Sequence, residues 1–146
     1  MASIRRTIII NAPVEKVFSF MTTPGNWTRY VTSLSGVSNF STEILEQGTT
    51  YTWEYRMLGV KMHGTGTITQ YAKNTAFGMK MAGTIPINEQ YRFTPSGNGT
   101  ELAMEITYEL PAKIFEKIAS ISVVEKLNQR EAQNILEKIQ LFCEEP

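Results

Sequence analysis

The chain has 146 residues, the length of one folding unit, and its 42% apolar content suffices for one sizeable core and argues against disorder. Its 14 basic and 14 acidic side chains balance and are scattered, so the basic stripe of a nucleic-acid binder is missing and no nucleic-acid partner is expected. No apolar run approaches the ~20 residues that span a bilayer, and the lone Cys143 cannot form an internal disulfide.

The opening "MASIRRTIII" sets two arginines before a short isoleucine run that Asn11-Ala12-Pro13 ends at once. It reads as a first strand rather than a secretory signal, and a reducing cytoplasm is the expected location. Pro13 then opens a short helix at the position where its missing N–H costs nothing, with Glu15 complementing the dipole. Val14, Val17, Phe18 and Met21 fall on one helical stripe, and Pro24-Gly25 ends it. An exposed-looking turn and a second short helical piece carry Trp27 and Tyr30.

From Ser33 to Leu110 the period becomes two. "VSNFSTEIL" (37–45) is a weak strand, followed by a turn at Glu46-Gln47-Gly48. "TTYTWEYRM" alternates, with Tyr51, Trp53, Tyr55 and Met57 on one face. "VKMHGTGTITQY", "AFGMKMAG" and "INEQYRF" are the next strands, and Asn98-Gly99 supplies positive φ for a hairpin. "ELAMEITYEL" places Leu102, Met104, Ile106, Tyr108 and Leu110 inside. From Pro111 to about Glu144 the period is helical, with Ile114, Ile118, Ile121, Ala132, Ile135, Ile139 and Phe142 on the apolar stripe and Arg130-Glu131 among the charges on the wet side. The pattern predicts an α+β fold: a curved seven-stranded antiparallel sheet, two short helices after strand 1, and one long C-terminal helix that the sheet wraps.

That order, with the strings "INAPVEKVFSFMTTPGNW", "EQGTTYTWEY", "GTGTITQY", "GNGTELAMEITYELP" and "NILEKIQLF", resembles the START-like or helix-grip (SRPBCC) superfamily, especially its polyketide cyclase/dehydrase branch. The resemblance spans residues 1–146 as one START-like ligand-binding domain. It implies the helix-grip fold and an internal cavity between sheet and long helix for a hydrophobic or amphipathic small molecule. It implies no one reaction, because the superfamily includes carriers, receptors, cyclases and chaperone regulators.

The candidate ligand-binding residues follow from which positions face inward. Tyr51, Trp53, Tyr55, Tyr91 and Tyr108 put large rings and hydroxyls inside, which suits a cavity with orienting polar groups. Met57, Met62, Met79, Met81 and Met104 add flexible thioethers that adapt to varied shapes. Phe115, Ala119 and Ser122 on the long helix are candidates for a cavity roof, the small residues leaving ligand space. In the helix-grip arrangement the short helices lie near the cavity mouth, which makes Trp27 and Tyr30 candidates for its rim.

Catalysts are scarce. His63, the only histidine, counts as outward from Met62 and Ile68 unless Gly64 and Gly66 mark a bulge that flips the parity. Glu54, Glu101, Glu105 and Glu109 alternate outward, and Glu89 is ambiguous. Weak catalytic candidates are His63, Tyr55 and Tyr91. One His and one Cys eighty residues apart make no usual zinc site, "GTGTIT" is no phosphate loop, and no cofactor is expected. The sequence therefore favours binding or transport of a lipid, isoprenoid or polyketide-like molecule. The alternatives are a cyclase/aromatase-type enzyme using cavity tyrosines or His63, and a protein-interaction module. Expected partners are the hydrophobic ligand, transient membrane contact without an integral segment, and a monomer or homodimer.

Overall fold

Alternation of apolar and polar side chains becomes a single antiparallel sheet. The computed structural model describes residues 2–109 and 121–146. In chain order these form β1 (Ala2–Ile10), α1 (Val14–Met21), a 3-10 turn (Pro24–Asn26), α2 (Trp27–Tyr30), β2 (Leu34–Ser38), β3 (Thr50–Met57), β4 (Val60–Ala72), β5 (Ala76–Gly83), β6 (Ile87–Ser96) and β7 (Gly99–Tyr108). The last element is α3 (Ile121–Glu144). Every strand from β2 to β7 pairs with its sequence neighbour, and β1 closes onto β7, giving the order β1-β7-β6-β5-β4-β3-β2. The curved sheet grips α3, the helix-grip arrangement that the resemblance implies. Gln140 Nε2 donates to the Ile9 carbonyl (2.9 Å) and Arg6 Nη2 to Gln129 Oε1 (2.8 Å), tying α3 to β1.

The break after α1 buries its aromatics. Helix termini leave four carbonyls without intrahelical partners, and side chains from the following turn satisfy them. Thr22 Oγ1 donates to Phe18 O, Thr23 Oγ1 to Ser19 O, and Asn26 Nδ2 to Phe20 O. Trp27 Nε1 (2.8 Å) and Tyr30 Oη (3.1 Å) both donate to Met21 O. Trp27 and Tyr30 are each 2% exposed. The turn that looks exposed in sequence is therefore folded inward, because the orphan carbonyls recruit the two polar aromatic tips. Pro13 itself stands just before the helix in an extended conformation, with α1 beginning at Val14.

Three other expectations are corrected. The second strand lies at Leu34–Ser38, with Val37 opposite Trp53, rather than over 37–45. Asn39 has φ 56°, a left-handed conformation that asparagine tolerates, and it turns the chain off the sheet. In the β6–β7 hairpin the positive φ belongs to Gly97 (60°), and Gly99 already pairs with Ser96. On α3 the buried face is Val124, Ala132, Ile135, Leu136, Ile139 and Cys143. Phe142 lies at the edge of that face, under the Arg29 guanidinium at 4.4 Å. Leu110, Ile114, Ile118 and the side chain of Ile121 lie outside the described residues.

Candidate functional site

Strand β6 carries Ile87, Glu89, Tyr91 and Phe93 at alternate positions, and the last three are buried. The parity that turns Tyr91 and Phe93 into the core also turns a carboxyl into it, and Glu89 is 5% exposed. Around it stand Tyr30 from α2, Tyr51 and Tyr55 from β3, and Tyr91 from its own strand; all four lie close enough to feel its charge.

Glu89 faces a cavity of about 60 Å³ between the sheet and α3. Tyr55, Met57, Met62, Ile85, Ile87, Ile106 and Tyr108 form its sheet wall, and Asn128, Glu131, Ala132 and Ile135 its helix wall. A second lobe of about 10 Å³ lies toward α2 and is lined by Trp27, Tyr30, Leu34, Val37, Tyr51, Met79 and Met81. Val31, Tyr55 and Glu89 border both lobes. The carboxyl thus stands at the junction of a larger and a smaller space.

The electrostatics of the junction are unusual for an apolar cavity. Burial, and secondly the charge of Glu131, push the Glu89 carboxyl up to about 7 from its ordinary 4.5. Among the described residues, neither a hydrogen-bond donor nor a cation pairs with that carboxyl. Burial also raises the hydroxyls of Tyr30, Tyr51, Tyr55 and Tyr91, so all four stay protonated at neutral pH. The hydroxyls of Tyr51 and Tyr91 are buried with no hydrogen-bond partner among the described residues. Such orphan groups are uncommon in native interiors and each costs free energy. Glu131 is held by Ser33, whose backbone N–H (3.0 Å) and hydroxyl both donate to it. Burial raises the Tyr108 hydroxyl, and the neighbouring Asn128 side chain partly offsets that rise.

The sequence-predicted residues divide between cavity, sheet packing and surface. Trp27, Tyr30, Tyr51, Tyr55, Met57, Met79, Met81 and Tyr108 line one lobe or the other. Trp27 packs against Phe40, Tyr51 and Phe77, which makes it a wall residue inside the fold rather than a rim at the surface. Trp53, Tyr91 and Met104 are buried but line neither lobe. Trp53 lies over Gly64 and donates from Nε1 to Thr65 O (3.0 Å). Gly64 and Gly66 make room for the rings of Trp53 and Tyr51: a Cβ on Gly66 would lie 2.3 Å from the Tyr51 ring.

His63 is exposed on the outer face opposite Glu54, because β3 and β4 pair without a shift past Gly64 and Gly66. The register shift falls between Ile68 and Gln70 instead, so His63 leaves the list of cavity catalysts. Ser122 is exposed, while Phe115 and Ala119 lie outside the described residues. Burial raises the Cys143 thiol to about 11, which leaves it protonated. No group of three or more His, Cys, Asp or Glu among the described residues is placed to hold a metal ion.

Two residues escape the sequence reading. Glu89 could have been found from Tyr91 and Phe93, two and four places on. Glu131 is assigned by its charge to the wet side of the helix. Yet Val124, Asn128, Glu131 and Ile135 recur at helical spacing, and the last three line the cavity.

No curated relative matches the chain in sequence. Among solved structures, the fold is similar to that of TTHA0849 from Thermus thermophilus, with a TM-score of 0.74 and 19% identity over 95% of this chain and 94% of that one. A START superfamily protein from Mycobacterium smegmatis superposes with a TM-score of 0.73 and 13% identity over 97% of both chains. StfQ, a di-domain aromatase/cyclase of the steffimycin biosynthetic pathway, gives a TM-score of 0.75 and 9% identity over 97% of this chain and 50% of its own length. The family model described as "Polyketide cyclase / dehydrase and lipid transport" matches residues 1–140, and the chain belongs to that family.

Proposed function

We propose that residues 1–146 act as one ligand-binding domain that takes a hydrophobic or amphipathic small molecule between the sheet and α3. The observation that carries this reading is the cavity itself. Its wall is aliphatic, aromatic and methionine-rich, and a few polar groups converge on it at Glu89, Glu131, Tyr55 and Tyr108. Met57, Met62, Met79 and Met81 border the two lobes, and their unbranched thioethers can repack to widen a space that is small when empty. Binding requires nothing further.

Extraction of the freshly purified protein with organic solvent, followed by mass spectrometry, tests the reading. A hydrophobic compound at close to one per chain supports it. Recovery of none from several expression hosts, with no uptake of added lipids, isoprenoids or polyketide-like aromatics, overturns it.

A second reading is favoured by one observation. A carboxyl raised to about 7 is poised to accept and return a proton near neutral pH, as general acid–base catalysis requires. In a cyclase-type reaction Glu89 would be the proton acceptor, with the Tyr51 hydroxyl donating to the oxygen that gains charge. The binding reading stands first because Glu89 has no hydrogen bond to a tyrosine among the described residues, so no acid–base pair is preassembled.

A further inference from the structure

Among the described residues, the charges that reach the cavity are of one sign. Glu89 borders both lobes and Glu131 the larger, and neither lobe has a Lys, Arg or His among its described lining residues. Glu89 is almost wholly removed from solvent, yet no cation or donor of the described residues compensates it. Beside it the Tyr51 hydroxyl, on the wall of the smaller lobe, is buried without a partner among the described residues. A carboxyl and a hydroxyl on the cavity wall therefore await something that the described part of the chain does not supply.

We propose that the ligand of this cavity is an apolar molecule carrying one amine, whose ammonium group sits between the Glu89 carboxylate and the Tyr51 hydroxyl oxygen. This rests on the cavity being a ligand site. A primary ammonium has three N–H donors and no acceptor, and the junction offers one carboxylate and one unpaired phenolic oxygen. Pairing satisfies both groups at once. The aromatic faces of the smaller lobe, from Trp27, Tyr30 and Tyr51, suit a cation further. A neutral carbonyl could accept from the Tyr51 hydroxyl, and from Glu89 when protonated. The Glu131 carboxylate, held on Ser33 across the same cavity, decides between them. Its charge opposes an oxygen that gains electron density and favours a cation. The ligand's apolar body then lies in the larger lobe, against Ile85, Ile87, Ile106 and Ile135.

The test uses the full chain and three probes of matched shape, 2-phenylethylamine, 2-phenylethanol and benzyl methyl ketone, titrated by calorimetry at about pH 8, where Glu89 is ionised. The amine is expected to bind at least roughly tenfold tighter than either neutral probe. Glu89→Gln should bring the three affinities within about twofold while retaining neutral-probe binding. Tyr51→Phe, which removes only the hydroxyl, should weaken the amine by a few-fold more than it weakens 2-phenylethanol. A ketone or alcohol that binds as well as the amine overturns the amine assignment and leaves the cavity reading standing. An amine preference that survives in Glu89→Gln overturns the placement of the cation. If no probe binds and solvent extraction is also empty, the cavity reading falls and the assignment with it.

Discussion

A carboxyl with a folded-state value near 7 makes Glu89 a liability that grows with pH. Its ordinary value is 4.5, so the folded chain holds the proton more tightly than the unfolded chain does. Its contribution is therefore fully favourable below about 4.5 and is lost as pH rises through about 7. The gap corresponds to a penalty on the order of 3 kcal/mol above neutrality. Glu131 from α3 and the protonated tyrosines Tyr30, Tyr51, Tyr55 and Tyr91 are the described titratable groups that face it. Urea denaturation of the unliganded protein should show stability falling between pH 5 and 8, and Glu89→Gln should flatten that slope and be the more stable form above neutrality. An unchanged slope would move the titrating group elsewhere. The carboxyl was legible in part: alternation with Tyr91 and Phe93 puts it inside, but charge argues for the surface. The parity of the strand prevails because Glu89 is one member of a row whose other members must be buried.

At the scale of elements, the closest constraints are on β4 and after α1. A Cβ on Gly64 would lie 1.9 Å from the Ala82 carbonyl oxygen and 2.8 Å from the Trp53 ring, and backbone on the next strand cannot withdraw. Gly64→Ala should therefore cost about 1–3 kcal/mol or more by overpacking, read as a lower urea midpoint. Trp27→Ala removes a 2%-exposed indole packed on three rings and one of the two donors to Met21 O. We expect a loss of about 3–5 kcal/mol, together with weaker ligand uptake because the wall of the smaller lobe is gone. Retained stability with lost uptake would make Trp27 a gate. The alternation of β3 and β7 and the stripe of α1 were readable, because each buries one face against a single layer. Segment 34–45 was not, since its strand is short, its apolar content is spread, and a left-handed Asn39 decides where pairing stops.

For the whole molecule, one row of seven strands and one long helix is the solution the periodicities demand, and it was legible as such. The cavity was expected from the resemblance and the inward tyrosines, but its size was not legible, because its small volume depends on how far methionines and aromatics fill the space under α3, which no spacing rule specifies. Nor did the sequence show that two acids on different elements, β6 and α3, converge on one space. The sheet order also carries a consequence for how the chain is made. Strand β1 pairs with β7, from Ile10 opposite Thr100 to Ala2 opposite Tyr108. Strand β1 thus waits roughly a hundred residues for its partner, and closure of that long loop is a slow step in folding. Through that interval Ile8, Ile9 and Ile10 form an unpaired β-branched edge, the kind of segment that joins other chains. Arg5 and Arg6 stand just before it, separated by Thr7, and two like charges repel a second copy laid alongside. In the finished fold each arginine makes a contact, to Glu105 and to Gln129. During synthesis their value is that of guards for a strand that emerges long before its partner.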